Sequence, residues 1–341
     1  MLTLQRGATA LLLLAVSCGG PPPVFAQQPE PLTQIAKIAL PGINGDFDHF
    51  AYDLKRNRLI SAAEENHTLE LFDLKTGAHL KTIAGFKAPH SIAYIPETDE
   101  IFVTDGDDAS CIVLSAKDLH RVDRIALRPG ADSALYDPAA KLYYIANGGR
   151  EENKKTSVVT VLSVLDHKKV AEIPVQGDNV EAMAMDHAHH RLFINIRDQK
   201  RIGVVDLATD KVVSTWIAPG MNRNTPMKFD APTQRLFVAG RTPGRLYIFN
   251  TGTGRIVREL DSVDSADDLT WDPATSRIYV TGSQGISIFR QNSPDDYSTV
   301  MTMKTIGGKT SLYVPELKQF YVAHPKGDTP SAALLIYRVN P

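Results

Sequence analysis

One recurring column constrains this chain more than any other feature. It reads Asp53, Ile95, Asp137, Asp186, Asp230, Asp272 and Val314, each within a similar local string such as YDLKRNRLI, YDPAAKLYY or WDPATSRIY. The intervals between copies are 42, 42, 49, 44, 42 and 42 residues. Seven residues after the column stands a large apolar side chain in every copy: Ile60, Phe102, Tyr144, Phe193, Phe237, Tyr279 and Tyr321. The one long interval contains the polar insertion 151–156 (EENKKT). A fixed period of this length means one supersecondary unit copied seven times, because a single unit cannot bury its own apolar face.

Each copy reads as four short strands. Strand A is an apolar run such as SIAYI or DLTWD, and a turn rich in Asp, Pro and Thr follows. Strand B is RLFVAG-like, and strand C is GVVDL-like or LYIFN-like. After a turn such as KTG, ATD or GTG comes strand D, KTIAG-like or VREL-like. Alternation with period two and clustered turn residues predict strands, and helical periodicity is absent beyond the N-terminus. Four strands per unit and seven units predict an all-β, seven-bladed β-propeller. The seventh copy stops after its third strand, AALLIYRV (332–339), and LTQIAKIAL (32–40) supplies the missing one. Pairing the two ends closes the ring and removes its open edges. A pair of β-sandwiches needs neither a constant period nor a shared last blade.

The tetrapeptides FVTD (102–105), YIAN (144–147), YVTG (279–282) and YVAH (321–324), with an eroded ISAA (60–63), resemble the YVTN-repeat β-propeller family of YncE-like proteins. The resemblance covers 31–341. It implies a secreted or periplasmic propeller and leaves the activity open, since the family hosts several roles. A WD40-type signature is missing: Trp216 and Trp271 are the two tryptophans, and no copy carries Gly-His paired with Trp-Asp.

The first 26 residues read as a secretory signal. Arg6 precedes the apolar run 8–16, Gly and Pro follow at 19–23, and Val24-Phe25-Ala26 places small residues at a cleavage site. The run is too short to span a membrane. A lipoprotein signal with Cys18 as a lipid anchor is the alternative reading. Either way residues 27–341 form one extracytoplasmic domain, with Cys111 left as a small core hydrophobe. The chain has 37 basic and 39 acidic side chains and no long basic run. That argues against nucleic-acid binding by phosphate neutralisation.

Strand A is the innermost strand of a propeller blade, so its start projects to the mouth of the central channel. Five residues before the repeating column stand Asp48, His90, Asp132, Glu181, Thr225, Asp267 and Lys309, with His49, Ser91, Ser133, Asn224 and Asp268 beside them. Converging carboxylates and an imidazole at Asp48, His90, Asp132, Glu181 and Asp267 would suit a divalent cation, Ca²⁺, Mn²⁺ or Zn²⁺. A solvated structural ring, with acids capping backbone N–H groups, is the other reading. The ends of strand B add Glu64, Glu65, Asp105, Asp107, Asn147, Arg150, Arg197, Arg241 and His324 to the same rim. Arg197 and Arg241, with Arg150 and Arg223 near, offer forked donors to an anion, unless they are independent surface side chains. Asp105-Gly106-Asp107-Asp108 reads as a β-turn, and His187, His189 and His190 fall on the opposite face. No haem-attachment, zincin, P-loop or nucleophile-elbow motif is present. Two functions therefore stand: a ligand- or protein-binding module using the mouth and rim, or a metal-assisted, lactonase-like hydrolase, suggested by analogy with related propellers. Resemblance to amine-dehydrogenase-type propellers adds docking to a redox partner, with no cofactor ligand behind it.

Overall fold

The computed structural model describes Leu2, residues 30–304 and residues 307–341. Residues 3–26 of the expected signal, Cys18 included, lie outside the described residues. Among the described residues, twenty-eight strands form seven four-stranded antiparallel sheets. In six blades the four strands are consecutive and lie side by side in chain order. The seventh combines Thr310–Val314, Gln319–His324 and Ala332–Val339 with the N-terminal strand Leu32–Leu40. Leu32 faces Val339 and Leu40 faces Ala332, so the first strand of the chain closes the ring as the outer strand of the last blade. Among the described residues no helix is long and apolar enough to cross a membrane.

Burial follows the position of each strand in its blade. Strand B is buried almost along its whole length, as in Arg191–Ile196 and Arg277–Gly282, because neighbouring blades cover both of its faces. Strand D, as in His79–Ala84 and Lys211–Ile217, is largely exposed. Lys81, Arg121, Lys168 and Lys211 on these outer strands are charges of the kind that protect an unpaired edge.

The core is divided among the blade interfaces. Seven apolar clusters occupy the seven interfaces. The aromatic column supplies a bridging ring at six of them. Phe237 of blade 5 packs with Ile278 and Phe289 of blade 6, and Tyr321 of blade 7 packs with Phe72 and Leu74 of blade 1. Burying one such ring stabilises the fold by about 1.5–3 kcal/mol. Cys111 is fully buried between blades 2 and 3, and burial pushes its thiol pKa up, as for an unreactive core residue.

The Asp column closes the turn between strands A and B. Asp53 Oδ1 accepts from the Arg56 amide at 3.1 Å, and Asp137 Oδ1 accepts from the Ala139 amide at 2.9 Å. Four residues after the column the chain turns into the left-handed region in all seven blades, at Asn57, Asp99, Lys141, His190, Gln234, Ser276 and Lys318 (φ 50–58°). None of these is glycine, so the packing of the blade carries the small cost of that conformation.

Candidate functional site at the channel mouth

A register irregularity aims the mouth residues in four blades. The inner strands Pro89–Ile95, Ala131–Asp137, Val180–Asp186 and Asn224–Asp230 each slip register within their first residues. His90, Asp132, Glu181 and Thr225 fall within those slips. A bulge of this kind bends the strand and re-aims a side chain. In the other three blades the column residue lies just before its inner strand. There the Asp48 and Asp267 amides bond back to the Ala62 and Thr281 carbonyls.

All seven column residues line one cavity of about 150 Å³. Glu64, His49, Arg197 and Arg241 complete its charged wall. A second cavity of about 190 Å³ continues down the channel, sharing His49, Ser133, Ala182 and Asp267 and adding Asp268 and Lys228. The side chains at the mouth form a chain of pairs. His90 Nδ1 donates to Asp48 Oδ2 at 2.6 Å and lies 3.9 Å from Asp132 Oδ1. His49 bridges Asp48 (3.5 Å) and Asp268 (3.3 Å). Lys309 Nζ sits between Asp267 at 2.8 Å and Asp46 at 2.9 Å. Arg197 pairs with Glu181, and Arg241 pairs with Asp267 while its Nε donates to the Ala266 carbonyl.

These contacts shift the proton affinities of the groups. Burial disfavours the Asp48 charge, but His49, His90 and Lys309 outweigh it and hold that carboxyl below the usual range. Burial also works against the His90 imidazolium, yet the bond to Asp48 and the fields of Asp132 and Glu64 push its pKa up to about 10. His49 is raised in the same way by Asp48 and Asp268, against burial. Glu181 is pushed up to about 7 by burial first and Asp132 second, with Arg197 opposing. Burial, with neighbouring acids, also raises Asp132 and Glu64.

Among the described residues, two groups have ligand atoms within 4.8 Å of one another: Asp48, Glu64 and His90, and Asp48, His49 and Asp132. Both contain an imidazole paired with a carboxylate, His90 with Asp48 and His49 with Asp48 and Asp268, and the nitrogen that ligates a cation must be free of its proton. Glu181 and Asp267, also expected as metal ligands, pair with Arg197 and Arg241 and belong to neither group.

Not every expected residue reaches the cavity. Asn224 is buried beneath it, its amide donating to Asn195 Oδ1 at 2.6 Å and to the Arg201 carbonyl at 3.0 Å. It holds strand A to strand B and has no donor left for a ligand. Arg150 stays on the rim, 3.6 Å from Asp178. Asp105 is buried and accepts from the Lys87, Ala88 and Asp108 amides, so the Asp105–Asp108 stretch is a turn. Asn147 holds the Arg128 carbonyl and Thr160, and His324 is buried beside Thr329. His187 and His189 pair with Asp137 and Asp186 in a turn at the other end of strand A.

Two charged residues of the channel escaped sequence reasoning. Asp46 precedes the column and reaches the mouth through Lys309, while its other carboxylate oxygen accepts from the Phe47 amide. Lys228 is the single charged residue at its register position, where the other blades carry Ala51, Ala93, Leu135, Ala184, Thr270 and Leu312. That substitution was the available signal.

Comparison with known proteins adds the fold and stops there. No family model and no curated protein matches the chain. The structure titled "Crystal Structure of Mitotic Checkpoint Complex" is similar at TM-score 0.74 and 14% identity, covering 99% of this chain and 100% of that one. The Kuenenia stuttgartiensis hydrazine synthase is similar at TM-score 0.73 and 14% identity, covering 88% and 97%. The fold is a β-propeller. With 1634 solved chains matching, the likeness selects no activity.

Proposed function

We propose that this protein is a non-catalytic, extracytoplasmic binding module of the YVTN-repeat type whose channel mouth takes a small polar ligand, with the rim loops available to a partner protein. One observation carries the reading: side chains from all seven blades line one small, charged cavity. A propeller matches this role, since its rigid ring presents converging side chains without help from any one blade. One structural neighbour is named for a complex, which fits a protein-binding propeller. The YVTN assignment rests on tetrapeptides that fall on strand B, as in Glu100–Asp105 and Gln319–His324. Export rests on the pattern of residues 1–26, and the mass of the secreted chain separates cleavage after Ala26 from lipidation of Cys18.

The test is a thermal-shift screen of residues 27–341 against small polar metabolites, beside an Asp132→Ala, Asp267→Ala double variant. A ligand that stabilises the parent and not the variant supports the mouth as the site. If every stabilising compound acts equally on both, the reading fails. Metal-assisted hydrolysis is the second reading, favoured by the two carboxylate–imidazole groups. Stoichiometric Ca²⁺, Mn²⁺ or Zn²⁺ lost in the double variant, followed by lactone hydrolysis, would establish it. The pairing of both imidazoles with Asp48, and of His49 with Asp268, competes with it.

A further inference from the structure

The charges at the mouth are not evenly spread around the ring. Glu64 comes from blade 1 and Asp132 from blade 3, whereas Arg197 comes from blade 4 and Arg241 from blade 5. All four line the same cavity. On the arginine side the donors are underused. A guanidinium carries five N–H donors in a planar fork. Arg197 commits one terminal nitrogen to Glu181, and Arg241 commits one to Asp267 and its Nε to Ala266. The remaining donors of both have no partner among the described residues, although these side chains are only 16% and 14% exposed. Arg223 adds a third guanidinium with no acidic partner among the described residues. Arg197 and Arg241 disfavour its charge, with burial adding to the effect, so positive charge is in excess here.

The part of the wall built by blades 1 to 3 has the complementary surplus. The nearest cation to Asp132 is His90 at 3.9 Å, beyond hydrogen-bond reach, and the Asp132 side chain is 36% exposed. The Glu64 carboxylate accepts no hydrogen bond among the described residues, and it sits near Asp48 and His90 within the group described above. A simple anion would satisfy the arginines and leave these carboxylates facing it. A simple cation would do the reverse.

We infer that the mouth binds a small zwitterion, its carboxylate against Arg197 and Arg241 and its protonated amine against Asp132 and Glu64. This rests on the reading of the mouth as a ligand site and specifies the ligand class. Forked pairing of arginine with carboxylate fixes orientation as well as affinity.

The experiment is calorimetric titration of residues 27–341 with glycine, β-alanine and 4-aminobutanoate, with propanoate and propylamine as half-ligands. At least one of the three zwitterions binds, and each half-ligand binds about tenfold or more weaker, as loss of a charge-assisted contact implies. Arg197→Gln and Asp132→Asn each weaken the zwitterion by about tenfold or more, and His187→Ala, at the other end of strand A, leaves it unchanged. Urea melts of both mouth variants establish that they are folded. Asp132, the more exposed of the two, keeps the test valid should the arginine variant unfold. Equal binding of a half-ligand, or an Asp132→Asn variant of unchanged affinity, overturns the inference. If no zwitterion binds while another screened compound acts through Asp132, the inference falls and the mouth site stands. If nothing acts through Asp132, both fall.

Discussion

At one end of the innermost strands Asp53, Asp137, Asp186, Asp230 and Asp272 are buried and each is engaged first by the turn of its own blade, with Asp137 and Asp230 also meeting His187 and Gln291 of the next blade. At the other end Asp48, Asp132 and Asp267 face residues of neighbouring blades across the channel. The same side chain does two kinds of work. A contact closed within one blade is copied with the blade, so the turn column stays nearly uniform. A contact closed between blades depends on position around the ring, and the mouth column varies through Asp, His, Asp, Glu, Thr, Asp and Lys. Variation within an otherwise regular repeat therefore marks where blades cooperate.

Alkaline titration is the strongest way to separate the two ends. An imidazole whose pKa rises on folding contributes fully below its ordinary value of 6.5 and loses that contribution as the pH climbs toward about 10. Unfolding free energy should fall across that window, by up to about 1.4 kcal/mol per pH unit for each proton involved. His90→Gln should make the slope shallower, whereas an unchanged slope would mean that the mouth does not hold the charged imidazole. Next in size is Asp186→Ala, which removes the buried acidic partner of the half-buried Arg191 and leaves that guanidinium only the Thr251 carbonyl as an acceptor. A loss of about 3 kcal/mol in urea unfolding is expected, and a loss under about 1 kcal/mol would erase the structural role of the turn column. Asp267→Ala should cost about 2 kcal/mol, because Arg241 and Lys309 then lose their shared acid. Its signature is coupling: the loss in the double variant with Lys309→Ala should fall short of the sum of the two single losses. Strict additivity would show that Asp267 and Lys309 are not paired. The smallest effect has the opposite sign. Asp132 bears a charge that burial and its acidic neighbours disfavour, so Asp132→Asn should raise the melting temperature by a degree or two at neutral pH, about 0.5 kcal/mol. A fall of that size would place Asp132 in a stabilising pair.

The strand pattern was legible because seven copies repeat the same alternation, and an ambiguity in one blade is resolved by the next. Leu32–Leu40 and Ala332–Val339 are bounded as the sequence indicates, and so is their pairing. The convergence of the mouth column was legible too, since it follows from the position of strand A in a closed ring. The pairings were not. Which acid meets which base depends on bulges at Pro89–Ile95 and its counterparts and on the reach of long side chains, and neither leaves a periodic trace. Asn224 looked like its neighbours in sequence, yet its partner Asn195 stands on an adjacent strand B, where no local pattern points to it.

The closure of the last blade has a topological consequence. The Asn340 amide donates to the Pro31 carbonyl at 2.9 Å, so the two ends of the folded domain lie side by side at the outer margin of one sheet. Where the backbone is cut is therefore a matter of convention for the finished ring. A short linker joining 341 to 31, with new termini in an exposed turn such as 208–210, would give a circular permutant that keeps every strand pairing. In that permutant all four strands of the closing blade would be contiguous. What distinguishes the natural order is when the circle can shut: the outermost strand of the final blade is made first and waits for some 300 residues of chain before its partner exists.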